Sequence, residues 1–202
     1  MNCGEARTRL ARERPGEVRR WLDQRGWLFG AAQIRSPNYD ARTGATVDLL
    51  VIHAISLPPG EFGGNAITQL FTNRLDATQH SFFAEIQHLR VSAHFLIRRC
   101  GQIMQFVSVY DRAWHAGESQ FDGRRACNDF SIGIELEGSD VTAFEDAQYL
   151  SLSELSQILI TAFPHITAQR IAGHSAIAPG RKTDPGPFFD WQRLLGELDH
   201  QG

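Results

Sequence analysis

Apolar positions change period along this chain, and the changes mark where strands give way to helices. Asp48-Leu49-Leu50-Val51-Ile52-His53 is a short apolar run closed by a histidine, the pattern of a buried strand. Pro58-Pro59-Gly60 and Gly63-Gly64 then predict a loop, and Ile67, Leu70, Phe71 and Leu75 recur at helical spacing over 66–76. Val91 to Arg98, a turn at Cys100-Gly101 and Gln102 to Val109 predict a hairpin. From Phe130 to Glu137 the residues alternate, with Ile132, Ile134 and Leu136 on one face and Ser131, Gly133, Glu135 and Glu137 on the other. Leu152, Leu155, Ile158, Leu159 and Ala162 carry a helix over 146–163, stopped by Pro164, and 188–198 supplies a last one. Strands interleaved with helices, without repeats, predict an α/β domain of the α+β type, a central mixed β-sheet flanked by helices.

Ahead of Gly26 the pattern changes. Residues 5–25 mix arginine and glutamate with few apolar positions and are broken by Pro15-Gly16. They predict two short helical pieces or a loosely held extension, so the domain is expected over 26–202 and an extension over 1–25. A chain of 202 residues with 42% hydrophobic content suits one core better than two. A net charge of −3, with the signs interspersed, leaves no electrostatic footprint for nucleic acid or an anionic membrane. No run approaches the ~20 apolar residues of a spanning helix, and the first 25 residues hold no signal-like apolar stretch. Three scattered cysteines make no disulfide framework. The expectation is a cytoplasmic protein with reduced thiols, monomeric by default.

Motifs that would announce a familiar chemistry are missing: there is no G-x-S-x-G elbow, Walker loop, H-E-x-x-H helix or Rossmann fingerprint. A dispersed set of His, Asp, Glu and Lys remains. His53, His174 and Asp184 offer the three protein donors a catalytic zinc takes, with one position left open, provided the strand and the loop over 173–187 meet. Glu135, on the less apolar face of its strand, can take a proton from a metal-held water; a carboxylate there is costly unless satisfied or used. All basic residues but Lys182 are arginine, and this lysine stands two residues before Asp184, where a compact point charge suits an oxyanion. Each residue also has an ordinary reading: a structural histidine at a strand end, an edge-strand glutamate, an Asx turn at Asp184-Pro185. The residues by themselves also leave open a cysteine hydrolase built on Cys100 or Cys127. His94 fits a packed core, whereas His115, beside Trp114 and between small residues, fits a sugar- or peptide-binding wall. His80, His88, His165 and His200 have no partner pattern and are expected at the surface.

Several stretches together carry a resemblance. They are Gly26-Trp27-Leu28, Ser36-Pro37-Asn38-Tyr39-Asp40, the run Ile55 to Gly64, Arg90 to Ile97, Arg112 to Gly117, Cys127 to Gly138, and Gly173 to Pro187. In unbroken order from Gly26 onward, the chain resembles the cytoplasmic anhydromuramyl-L-alanine amidases of Gram-negative bacteria. These are zinc amidases that share a fold with peptidoglycan recognition proteins and phage amidase lysozymes. The resemblance implies zinc (Zn2+) on His53, His174 and Asp184, Glu135 as catalytic acid/base, and Lys182 supporting the tetrahedral intermediate. The implied reaction cleaves the amide between the lactyl group of anhydro-N-acetylmuramic acid and the L-alanine of the stem peptide, a step of cell-wall recycling. The implied partner is thus a small-molecule anhydromuropeptide, with Arg90, Trp114 and His115 expected to contact it. Two positions depart from the family: Ala54 replaces a usual asparagine and Ala126 a usual arginine, both associated with holding substrate. These departures keep a second outcome in view, a muropeptide-binding module without turnover. Cys100, at the hairpin turn where an aspartate is usual, is expected to be structurally tolerated.

Overall fold

Ten strands and five α-helices form among residues 20–199, the part of the chain that the computed structural model describes. In chain order the strands are β1 (Ala32–Gln33), β2 (Tyr39–Ala41), β3 (Leu49–Ile55), β4 (Phe95–Ile97), β5 (Ile103–Gln105), β6 (Asp111–Ala113), β7 (Gln120–Phe121), β8 (Arg124–Arg125), β9 (Ser131–Glu137) and β10 (Ile171–Gly173). The helices are α1 (Ala66–Phe71), α2 (Ser81–Ile86), α3 (Asp146–Ala162), α4 (His174–Ile177) and α5 (Trp191–Asp199). Six strands make one mixed sheet in the order β1-β5-β4-β9-β3-β10, in which only β4 and β5 run antiparallel. The other four strands form two small antiparallel pairs, β2 with β6 and β7 with β8.

The two longest strands, β3 and β9, lie side by side at the centre, which is why their sequences read so differently from those of the edges. Leu50 and Ile52 of β3, with Ile132, Ile134 and Leu136 of β9, turn to one face. There they pack with Leu152, Leu155 and Leu159 of α3 and Leu194 and Leu198 of α5. The alternation of β9 was legible in the sequence, but burial is not confined to its apolar side: all seven residues are buried. The polar face is covered as well: His115, from the chain between β5 and β9, lies over Ser131 and Gly133, and the Gly63 loop with Arg98 and Arg99 covers Glu137.

Glu137 shows what satisfies such a buried charge. Its carboxylate accepts from Arg98 Nη1 at 3.0 Å, from the Gly63 backbone N–H at 2.7 Å and from that of Arg99 at 3.1 Å. The pair thereby pins the Gly63 loop to the ends of β4 and β9. Glu137→Ala leaves the Arg98 cation buried and two N–H groups unpaired, so unfolding in denaturant should show a loss of about 3–5 kcal/mol. Little change in the denaturation midpoint would mean that the loop is held by other contacts.

Some element bounds differ from the pattern-based expectation. The strand expected to close at His53 continues to Ile55, so the histidine lies within the sheet ladder. The helix expected over 66–76 stops at Phe71, and Asn73 adopts a left-handed φ of 58° that no helix continues through. The hairpin is present, its strands three residues long each. The helices expected over 146–163 and 188–198 are observed as α3 and α5. Of the expected extension, residues 1–19 lie outside the described residues. Residues 20–25 form a turn packed on the domain: Arg20 pairs with Glu154, Leu22 bridges Leu28, and Trp21 stacks on Phe29. Gly26 and Leu28 are stitched to β5 through the side chain of Gln105.

Candidate active site

Parallel register brings the dispersed residues together. His53 of β3 stands beside Glu135 of β9, on the face opposite Ile52 and Ile134. β10 pairs with the other edge of β3, Gly173 beside Ile52, and hands the chain directly to His174 at the first position of α4. The loop from Ala178 then returns Asp184, whose carbonyl accepts the Ser175 N–H at 2.9 Å. Gly173 is required by this return, because a Cβ there would lie 2.8 Å from Pro185 Cδ.

Three donor atoms converge at that point. His53 Nδ1 lies 2.9 Å from His174 Nδ1 and 3.2 Å from Asp184 Oδ2, and His174 Nδ1 lies 3.1 Å from the same oxygen. The sides of this triangle are close to the ~3.4 Å edge of a tetrahedron with ~2.1 Å bonds, the spacing zinc imposes on nitrogen and oxygen donors. Burial drives the pKa of His53 down to about 4, with Asp184 pulling upward and His174 downward. The imidazole is therefore neutral at neutral pH and has a lone pair to give. For Asp184 burial works against ionisation, but the two imidazoles beside it outweigh that and hold its carboxyl below the usual carboxylate range. These three donors could hold a metal ion, and their composition fits zinc.

Beside this cluster, Glu135 is left unsatisfied. It is buried, and its Oε2 has no hydrogen-bond partner among the described residues. Burial raises its pKa well above the ordinary glutamate value, the Asp184 charge raises it further, and Lys182 opposes both. A buried carboxylate with an unused oxygen beside a three-donor cluster is equipped to hold and release a proton. Lys182 is exposed at the rim, where its charge reaches Glu135 and His53.

The remaining expected residues fall differently. Trp114 is half-buried, with an indole Nε1 that finds no partner among the described residues. Arg90 is exposed and its Nη1 caps the carbonyls of Gln87, His88 and Leu89; no hydrogen bond links it to the cluster. His115, expected on a substrate wall, is instead interior: its Nδ1 lies 2.9 Å from His53 Nε2 and its Nε2 3.2 Å from Ser131 Oγ. His94 is fully buried between the Gly133 N–H and the Asp111 carbonyl. Ala54 packs toward the α3 side of the sheet, and Ala126 adopts a left-handed φ of 60° ahead of the short 3-10 turn over Cys127–Asp129. His88 and His165 are exposed, His80 caps α2 by accepting from the Phe82 N–H, and His200 lies outside the described residues. Cys100 and Cys127 are buried, with no hydrogen bond to a histidine, and burial pushes the Cys127 thiol pKa up, away from the reactive thiolate.

Three supporting residues were not singled out beforehand. Asn128 Oδ1 accepts from the N–H groups of His115 and Ala116, Arg181 binds the carbonyls of Ala116 and Glu118, and Ser131 touches His115. Only Ser131 left a trace in the sequence, as a polar position on the Glu135 face of its strand.

Proteins similar to this chain are amidases. The family Amidase_2, N-acetylmuramoyl-L-alanine amidase, matches residues 43–187. The 1,6-anhydro-N-acetylmuramyl-L-alanine amidase AmpD of Escherichia coli (strain K12) is 59% identical over 174 residues, covering 86% of this chain and 94% of that protein. A crystal structure of a Se-Met AmpD derivative superposes with a TM-score of 0.85 at 56% identity, covering 88% of this chain and 98% of the other. A complex of the E. coli amidase AmiD with anhydro-N-acetylmuramic acid-L-Ala-D-gamma-Glu-L-Lys superposes at 0.55 with 29% identity, over 87% of this chain and 65% of that one. The match spans the strand that holds His53, the strand that holds Glu135 and the loop that holds Asp184, and the chain belongs to the N-acetylmuramoyl-L-alanine amidase family of hydrolases.

Proposed function

We propose that the protein is a zinc-dependent amidase that releases the stem peptide from anhydro-N-acetylmuramic acid in cytoplasmic cell-wall recycling. The observation that carries this reading is the orphaned Glu135 carboxylate next to three converging donors. His53, His174 and Asp184 would hold the metal, leaving the fourth position for water or substrate. Zinc held there would supply Lewis acidity, polarising the amide carbonyl and acidifying water. Glu135 takes the proton of the attacking water and returns it to the leaving L-alanine amine; its raised pKa suits both halves of that exchange. Lys182 places a point charge at the developing oxyanion. Trp114 and the exposed Arg90 are assigned to substrate contact, and the amidase domain to residues 26–202. All donors come from one chain, so the site needs no second copy.

The substrate class is supported by the AmpD relatives and by the AmiD complex with an anhydromuramyl tripeptide. Incubation of zinc-loaded protein with anhydromuramyl-tripeptide should yield free peptide by mass spectrometry, and a strong chelator should stop it. Absence of peptide from the loaded protein would favour the binding-module alternative, whereas release that survives complete metal removal would defeat the zinc assignment.

A further inference from the structure

Each proton around His53 can be placed from the hydrogen bonds it must serve, and the placement ends at the metal donor. Ser131 Oγ lies 2.6 Å from the Cys127 carbonyl, which only accepts, so the single hydroxyl proton points there. Ser131 can then only accept from His115, 3.2 Å away, which puts the His115 proton on Nε2 and leaves its Nδ1 as an acceptor. That nitrogen faces His53 Nε2 at 2.9 Å, so His53 donates from Nε2 and its Nδ1 carries the lone pair. This is the same Nδ1 that meets His174 and Asp184. His174 has mixed surroundings: its Nε2 lies 3.2 Å from the Ala116 carbonyl and 3.5 Å from Arg181 Nη2, and its Nδ1 lies 3.1 Å from Asp184 Oδ2.

We propose that His115 and Ser131 are positioning residues of the amidase, a buried relay that locks His53 in the Nε2–H tautomer and aims its Nδ1 lone pair at the metal. The proposal rests on the metal-site reading above. The packing is built for it. A Cβ at Gly133 would lie 2.5 Å from the His115 ring, so the glycine of β9 makes the room the ring occupies. Asn128 fixes the backbone at His115 and Ala116 with one oxygen, which sets both second partners in place together. His94, whose Nδ1 accepts the Gly133 N–H, closes the other side, its ring centroid 5.6 Å from that of His115. Outer partners of this kind commonly change metal affinity by ~10–100-fold.

The test compares wild type with His115→Leu, His115→Asn and Ser131→Ala. Zinc affinity is read by competition with a chromogenic chelator, and the His53 tautomer of the metal-free protein by long-range nitrogen–proton spectra. His115→Leu removes the acceptor and should weaken zinc binding by ~10–100-fold. His115→Asn can present Oδ1 where Nδ1 was and should restore most of it. Ser131→Ala keeps the ring and its packing and should weaken binding in the same direction as His115→Leu. The tautomer readout on the wild type needs neither zinc nor a folded variant: an Nε2–H signal at His53 supports the relay, and an Nδ1–H signal overturns it. Unchanged zinc affinity in both His115→Leu and Ser131→Ala would overturn it too. A wild type that takes up no zinc, or a His53→Ala variant that binds it as tightly, strikes the metal-site reading and leaves the tautomer result standing on its own.

Discussion

Alanine at Asp184 should empty the site and end amide hydrolysis together. Its Oδ2 is the only carboxylate oxygen in the three-donor triangle, 3.2 and 3.1 Å from the two imidazole nitrogens. Without it, two buried histidines face one another with no aspartate charge to balance a divalent cation, and a catalytic zinc is left one protein ligand short. Losing a ligand outright should exceed the ~10–100-fold set by outer partners. Metal content by elemental analysis after dialysis, alongside turnover of anhydromuramyl-tripeptide, checks the outcome. A variant that keeps both metal and turnover would remove Asp184 from the site.

Glu135→Gln should separate what Asp184→Ala joins. The amide fills the same space and leaves the three donors untouched, so zinc content stays near that of the wild type while kcat falls by ~10²–10⁴-fold, the range of a lost general acid–base group. It should also change stability with a definite sign. A carboxyl whose pKa is raised on folding keeps its proton where the unfolded chain has already released one. The stability it contributes is full below the unfolded glutamate pKa of ~4.3 and is lost as pH rises through the folded value. Metal-free wild type should therefore lose stability over that rise, and the glutamine variant should lose less. Thermal denaturation of both metal-free proteins from mildly acidic to mildly alkaline pH reads the difference. Parallel curves would mean that Glu135 is not held protonated by its surroundings.

The sequence made the three donors and Glu135 legible because each sits where pattern is strongest. His53 follows the most apolar run, Glu135 breaks an alternating strand, and Asp184 lies in a loop dense with glycine and proline. The architecture followed from the same periods, and α3 was readable to within a residue of its end. What stayed hidden depends on how loops cover the sheet. Alternation separates the faces of β9 but cannot say that the polar one is buried as well. For that reason His115, lying between tryptophan and small residues, read as a surface wall although both its nitrogens are used inside the protein. Asn128 and Arg181 act through backbone atoms of residues far along the chain, which no local spacing encodes.

The sheet is long at its centre and short at its borders: its two outermost strands, β1 and β10, contribute two and three residues. Unpaired strand borders are where chains recruit one another into aggregates. Among the described residues these two strands offer only five residues of ladder between them, so a neighbouring copy finds little backbone to extend there.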